Sequence, residues 1–213
     1  MRQGWFFYLL TVLFCVKDTE FPGVVIEEYH SQGGSKEHRE YHRIKANVDI
    51  LKIIQIGITI SDGSGKMPKP TSTWQFNFDF DIEKDKKAQN SILLLQNSGI
   101  DFSKLRNHGI NPVYFAEKFT NSGLVLNDRI TWICFHGCYD FSYFLRIMMN
   151  EVLPHSRDSF DAYMKHFFPK LMDIKTFMHQ FNCDGGLNRI ADYLNIKRQG
   201  AVHQAGSDSL VTL

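Results

Sequence analysis

The sequence has almost no net charge: 24 Lys and Arg stand against 23 Asp and Glu over 213 residues, a formal +1. A globally cationic nucleic-acid binder is thereby excluded, and any contact with a polyanion has to come from a local basic patch. Cysteine is scarce. Cys15, Cys134, Cys138 and Cys183 make no C-x-x-C pair, which argues for reduced thiols in a cytosolic or nuclear protein. Cys134 and Cys138 without a second pair make a weak zinc site, so buried free thiols are the better reading. The apolar N-terminal run is shorter than the ~20 residues a membrane-spanning helix needs. Internal repeats and low-complexity segments are missing too. What remains is an ordinary globular composition, rich in Phe (18 residues), and a length suited to one large α/β domain with a substantial core.

The run from Trp5 to Val16 follows Arg2 and has the outline of a signal peptide, with secretion as the lesser alternative. No small-residue cleavage site precedes Lys17-Asp18. The run is therefore read as a buried strand stopped by Pro22-Gly23. Side chains alternate along a strand, so Asp18 and Glu20 share one face and Lys17 points to the other. Two acids at a strand end are ordinarily solvated. They instead mark a divalent-cation site, built from hard oxygen ligands, if the chain brings further carboxylates to the same place.

Ile26 to Glu40 reads as a polar surface loop and Arg39 to Asp49 as a short helix. Ile50 to Ile60 is β-branched and apolar, a central strand. The stretch 61–73, with its Gly and Pro residues, is an irregular turn. From Thr73 to Ile82 the residues alternate, with Trp74, Phe76, Phe78 and Phe80 on one face and Gln75, Asn77, Asp79 and Asp81 on the other. Three strands joined by short turns predict an antiparallel meander. Asp79 and Asp81 are a rival acid pair, read as part of a solvated face. Helices are expected over 88–97, 112–120, 141–149, 156–168, 174–181 and 187–194, and again in a last helix that carries Asp208 and runs to Leu213. The stretch 100–110 is expected to be a basic loop, and 129–135 and 169–173 to be strands. Asp140 falls at a strand-to-helix junction, where a helix N-cap is its plain reading, and Asp173 caps the helix after it.

Asp18, Glu20, Asp140 and Asp208, with His203 five residues before the last, form an ordered set. Singly, each has an ordinary explanation. Together they match four acids converging on one side of a sheet around two Mg²⁺ ions, with an imidazole to take a proton from water.

The stretches KDTEFPG, NVDILKIIQIGITI, TSTWQFNFDFD, FHGCYDFSYFL, GGLNRIADYL and HQAGSDSL resemble the CAF-type deadenylases. These are the poly(A)-trimming subunits of the CCR–NOT mRNA-decay complex, in the DEDD exonuclease superfamily. The resemblance runs from about Asp18 to the end. It implies an α/β, RNase H-like fold, a mixed central sheet flanked by helices in one exonuclease domain over 1–213. It implies removal of poly(A) tails in the 3′→5′ direction with release of AMP, using two divalent ions, Mg²⁺ or Mn²⁺. Asp18, Glu20, Asp140 and Asp208 then match the metal-binding acids and His203 the general base. The implied partners are poly(A) RNA and other CCR–NOT subunits, a scaffold and a second deadenylase, with no membrane. The implied location is nucleus and cytoplasm, including processing bodies.

Three departures from that family stand out. Lys17 takes the place of an apolar residue, where an unpaired buried ammonium costs several kcal/mol, so Lys17→Met is expected to stabilise. His136-Gly137-Cys138-Tyr139 replaces a His-Ser-Gly-Tyr pattern. The chain is expected to stop within the helix carrying Asp208, and its first 17 residues are atypical. An enzyme is favoured because all five site positions are filled. A catalytically impaired scaffold subunit is the alternative, and a DNA exonuclease is disfavoured by the family-specific stretches.

Overall fold

The computed structural model describes residues 13–29, 35–180 and 184–213. The signal-like reading, Gly33-Gly34, Cys183 and the expected helix end at Phe181 lie outside them. Among the described residues, strand β1 is Leu13–Glu20 and helix α1 Lys36–Ile50. Strands β2 (Gln55–Asp62) and β3 (Thr73–Asn77) follow. Next come helices α2 (Gln89–Asn97), α3 (Phe102–His108) and α4 (Pro112–Thr120). Strand β4 (Ile130–Cys134) precedes helices α5 (Cys138–Met149) and α6 (Arg157–Phe167). Strand β5 (Lys170–Asp173) leads to α7 (Ile174–His179), α8 (Leu187–Tyr193) and α9 (Ala205–Thr212).

The strands form one mixed sheet in the order β3-β2-β1-β4-β5. β1, β2 and β3 pair antiparallel, as expected of a meander, while β4 lies parallel to β1 and β5 parallel to β4. β1 and β2 are joined through the 15-residue helix α1, longer than the short helix expected over Arg39 to Asp49. That helix begins earlier than Arg39 because the Ser35 hydroxyl caps it, accepting from the His38 N–H at 3.2 Å. Tyr41, Ile44 and Val48, spaced three and four apart, bury its inner stripe. Its last turn takes Ile50, so β2 starts only at Gln55.

The expected basic loop over 100–110 is instead helix α3. Asp101 caps it through the Lys104 N–H at 3.0 Å, and Phe102 and Leu105 bury themselves in a small core with Ile54, Phe80, Ile92, Leu95 and Ile100. Asp79 and Asp81 lie away from the β1 acids. Lys52 pairs with Asp79 at 3.7 Å and Arg106 with Asp81 at 3.3 Å.

Register decides what each face of the sheet carries. Cys15, Lys17 and Thr19 pair with Ile60, Ile58 and Ile56, on the face whose core holds Trp132, Phe141, Phe144 and Phe168 in edge-to-face ring contacts. Val16, Asp18 and Glu20 pair with Thr59, Gly57 and Gln55 on the opposite face, which α9 covers. Ser209 of α9 bonds the Thr59 hydroxyl at 2.9 Å. The helix lies so close that a Cβ on Gly57 would stand 1.9 Å from the Ala205 carbonyl oxygen. Among the described residues, no helix is long and apolar enough to cross a membrane.

Candidate active site

The site forms at the end of β1, where three parts of the chain meet. Asp18, Thr19 and Glu20 end the strand, α5 brings Asp140, and the turn into α9 brings His203 and Asp208. With Phe135, Gly186, Leu187, Asn188 and Val202 they line one cavity of about 320 Å³. Ligand atoms of Glu20, His203 and Asp208 lie within 4.8 Å of one another. All five residues singled out in the sequence therefore line one space.

Their approach differs from the expected one-sided convergence. Asp208 comes from the helix covering the Asp18–Glu20 face. Asp140 comes from α5, which packs on the other face, and reaches the strand end from behind. Asp140 is also not the N-cap of α5. Gly137 holds that position without a side-chain bond, and Asp140 sits buried in the first turn. Gly137 is tightly placed, since a Cβ there would meet Cys134 Sγ at 2.4 Å. Cys138 is exposed, so the small residue sits where closeness demands it. Asp173 fixes this junction: its carboxylate accepts from the His136 and Gly137 N–H groups at 2.9 and 3.0 Å and caps α7 through Lys175.

Two cations share the carboxylates. Lys17 is 1 % exposed. Its Nζ is 3.8 Å from Asp140 Oδ1 and 4.2 Å above the Phe141 ring, with no hydrogen-bond acceptor among the described residues. The same Oδ1 accepts from the Thr19 hydroxyl at 2.6 Å. The burial expected for Lys17 is found; its ion pair with Asp140 was not foreseen. Burial lowers the Lys17 pKa, and the charge of Asp140 works against that. Arg198 forms an ion pair with Asp208 Oδ1 and reaches Asn188 Oδ1 at 2.6 Å and Ser207 Oγ at 3.0 Å. Asp208 Oδ2 accepts from the His203 N–H at 3.2 Å.

No ion pair or side-chain hydrogen bond serves Asp18 or Glu20 among the described residues. Burial, then the charges of Asp140, Glu20 and Asp208, push the Asp18 carboxyl well above the usual range, with Lys17 opposing. Burial and the charges of Asp208 and Asp140 raise Glu20 to about 8. Crowded acids held this way are relieved by a divalent cation, and hard oxygens with one imidazole suit Mg²⁺ or Mn²⁺. The oxygens of Asp18, Glu20, Asp140 and Asp208 can hold such ions. Cys134 and Cys138 join no cluster of metal-binding type among the described residues.

Sequence reasoning missed Arg198, Thr19 and a set of amides. Gln204 is the N-cap of α9 but its side chain makes no cap bond. Gln55 Oε1 accepts from the Ala205 N–H at 3.2 Å and Gln75 Oε1 from the Gly206 N–H at 2.9 Å. Both amides also donate to Gln204 Oε1, at 3.1 and 3.0 Å. The sheet itself thus caps the helix that carries Asp208. The one sequence signal was Gln75 on the polar face of β3.

No family model matches the chain. It is 44% identical over 208 residues to an Arabidopsis thaliana protein named probable CCR4-associated factor 1 homolog 7, covering 93% of this chain and 74% of the relative. It is 48% identical over 198 residues to the poly(A) ribonuclease pop2 of Schizosaccharomyces pombe, covering 92% of this chain and 58% of the relative. Among solved structures, S. pombe Pop2p in its Mg²⁺- and Mn²⁺-bound form superposes with a TM-score of 0.90 at 47% identity, over 93% of this chain and 79% of that one. Yeast CAF1, co-crystallized with the NOT1 MIF4G domain, gives a TM-score of 0.80 at 30% identity, over 98% and 79%. E. coli exonuclease I, at 14% identity and a TM-score of 0.63 over 95% of this chain and 39% of that one, shares the fold. The mixed sheet, the acids at the end of its central strand and these identities agree: the chain belongs to the CCR4-associated factor 1 (Pop2) family.

Proposed function

We infer that this chain is a metal-dependent 3′→5′ exoribonuclease that shortens poly(A) tails and releases AMP. The observation that carries this reading is the cavity at the end of β1, lined by four carboxylates and an imidazole from distant parts of the chain. A relative of 48% identity named a poly(A) ribonuclease supports the substrate, and a homologous structure with Mg²⁺ and Mn²⁺ bound supports the ions. In this reading Asp18, Glu20, Asp140 and Asp208 hold two divalent ions.

Bound ions supply Lewis acidity, which makes water a stronger nucleophile and offsets charge on the leaving oxygen. The His203 imidazole takes the proton of the attacking water. The water oxygen ends in AMP, and the bridging oxygen leaves as the 3′-hydroxyl of the shortened RNA after taking a proton from solvent, to which the His203 imidazolium returns its own. Arg198 steadies Asp208, and the Thr19 hydroxyl holds one oxygen of Asp140.

The reading extends to work within a CCR–NOT-type complex, supported by the yeast CAF1 co-crystallized with the NOT1 MIF4G domain, and it carries with it a single domain acting in nucleus and cytoplasm. A docking-only role has one observation in its favour, the Lys17 ammonium against Asp140. Incubating the purified chain with oligo(A) RNA and Mg²⁺ separates the two. AMP release abolished by EDTA, and absent with oligo(dA), is expected of the enzyme; no AMP with either Mg²⁺ or Mn²⁺ would leave the docking role.

A further inference from the structure

The four cavity carboxylates do not meet their cations evenly. Arg198 pairs with Asp208 and also reaches Asn188 and Ser207, which offer it other acceptors, so it can yield to an incoming ion. Lys17 has no such freedom. Its ammonium is sealed from solvent, lies against the faces of Phe141 and Phe144, and finds one carboxylate within 4 Å among the described residues, that of Asp140. A divalent ion using Asp140 has to share that carboxylate with a fixed positive charge, whose repulsion acts through a poorly screened interior. Glu20, His203 and Asp208 are the three whose ligand atoms already lie within 4.8 Å of one another, and Lys17 touches none of them.

We propose that Lys17 is a built-in counter-cation for Asp140, so that the chain alone holds one divalent ion firmly, through Glu20 and Asp208, and a second only weakly, through Asp140. The inference rests on the reading of these acids as metal ligands.

Titration calorimetry of the metal-free chain with MnCl₂, with free Mn²⁺ counted by electron paramagnetic resonance, tests it without turnover. The wild-type chain should bind one Mn²⁺ per molecule, with a second at least tenfold weaker. Lys17→Met and Lys17→Gln, each shown folded by circular dichroism, should tighten the second ion tenfold or more. Asp140→Asn, in the wild-type background, should keep the first ion and lose the second. Two ions within threefold of each other in the wild-type chain would overturn the proposal. So would an unchanged second ion in both Lys17 variants, or loss of the first ion in Asp140→Asn. Binding of no ion at all would overturn the metal-ligand reading with it.

Discussion

Lys17 joins a stability problem to a functional one. Removing a buried ammonium was expected to stabilise, but Lys17 is also the nearest positive charge to Asp140, 3.8 Å away. Breaking a buried pair leaves the partner uncompensated, at a cost of ~3–5 kcal/mol. Lys17→Met is therefore expected to lower the melting temperature without divalent ions and to raise it at saturating Mn²⁺, where metal takes over the charge. Calorimetric melts in both conditions check the change of sign; a shift in the same direction in both would show that Lys17 and the ions do not compete. Glu20 gives a pH signature. Its carboxyl is raised from 4.5 to about 8 in the folded, ion-free chain, so between those values the native state binds more protons than the unfolded one. Stability must then fall as pH rises through that window. Denaturant midpoints of the metal-free chain should decline from pH 5 to pH 8, and excess Mg²⁺ should flatten the decline.

Helix α9 shows what an element contributes beyond its side chains. It carries Asp208 and has no cap of its own, its first N–H groups being bound by Gln55 and Gln75. Gln75→Ala leaves the Gly206 N–H without its acceptor, and losing a helix cap costs roughly 0.5–2 kcal/mol. We expect a destabilisation of that size in urea melts, with kcat lowered more than KM, since the turn holding His203 loosens with it. Gly57→Ala is expected to be harsher. Its Cβ would press on backbone, the Ala205 carbonyl, so the helix has to move, and overpacking costs about 1–3 kcal/mol. Near-wild-type stability and turnover in Gly57→Ala would mean that α9 does not depend on this approach.

Elements with local signals were legible in the sequence. Periodicity announced β3, α2 and α4, and the DxE of β1 announced a charged strand end within a buried strand. α3 was missed because a capping Asp101 and two apolar residues three apart are a small signal inside a basic stretch. The extent of α1 depended on Ser35, hidden in a polar loop.

At the scale of the whole molecule, the site is a product of topology. A strand end presents Asp18 and Glu20 to one face and Lys17 and Thr19 to the other, and helices from the two faces bring Asp208 and Asp140 to it. The five residues that meet in the cavity could be named from order and motif. That Asp140 arrives from behind the sheet, within reach of Lys17, could not, because nothing local to either residue encodes which face α5 covers. The amides capping α9 are likewise separated from it by about 130 to 150 positions, too far for any spacing rule.

The central claim, that these acids hold the ions that cleave RNA, is tested most directly by one comparison of turnover. Asp208→Ala and the wild-type chain are assayed side by side on 5′-labelled oligo(A) at saturating Mg²⁺, with circular dichroism showing both folded. The account predicts a ladder of progressively shortened products from the wild-type chain and none above the enzyme-free background from Asp208→Ala. Equal turnover by the two proteins would contradict it.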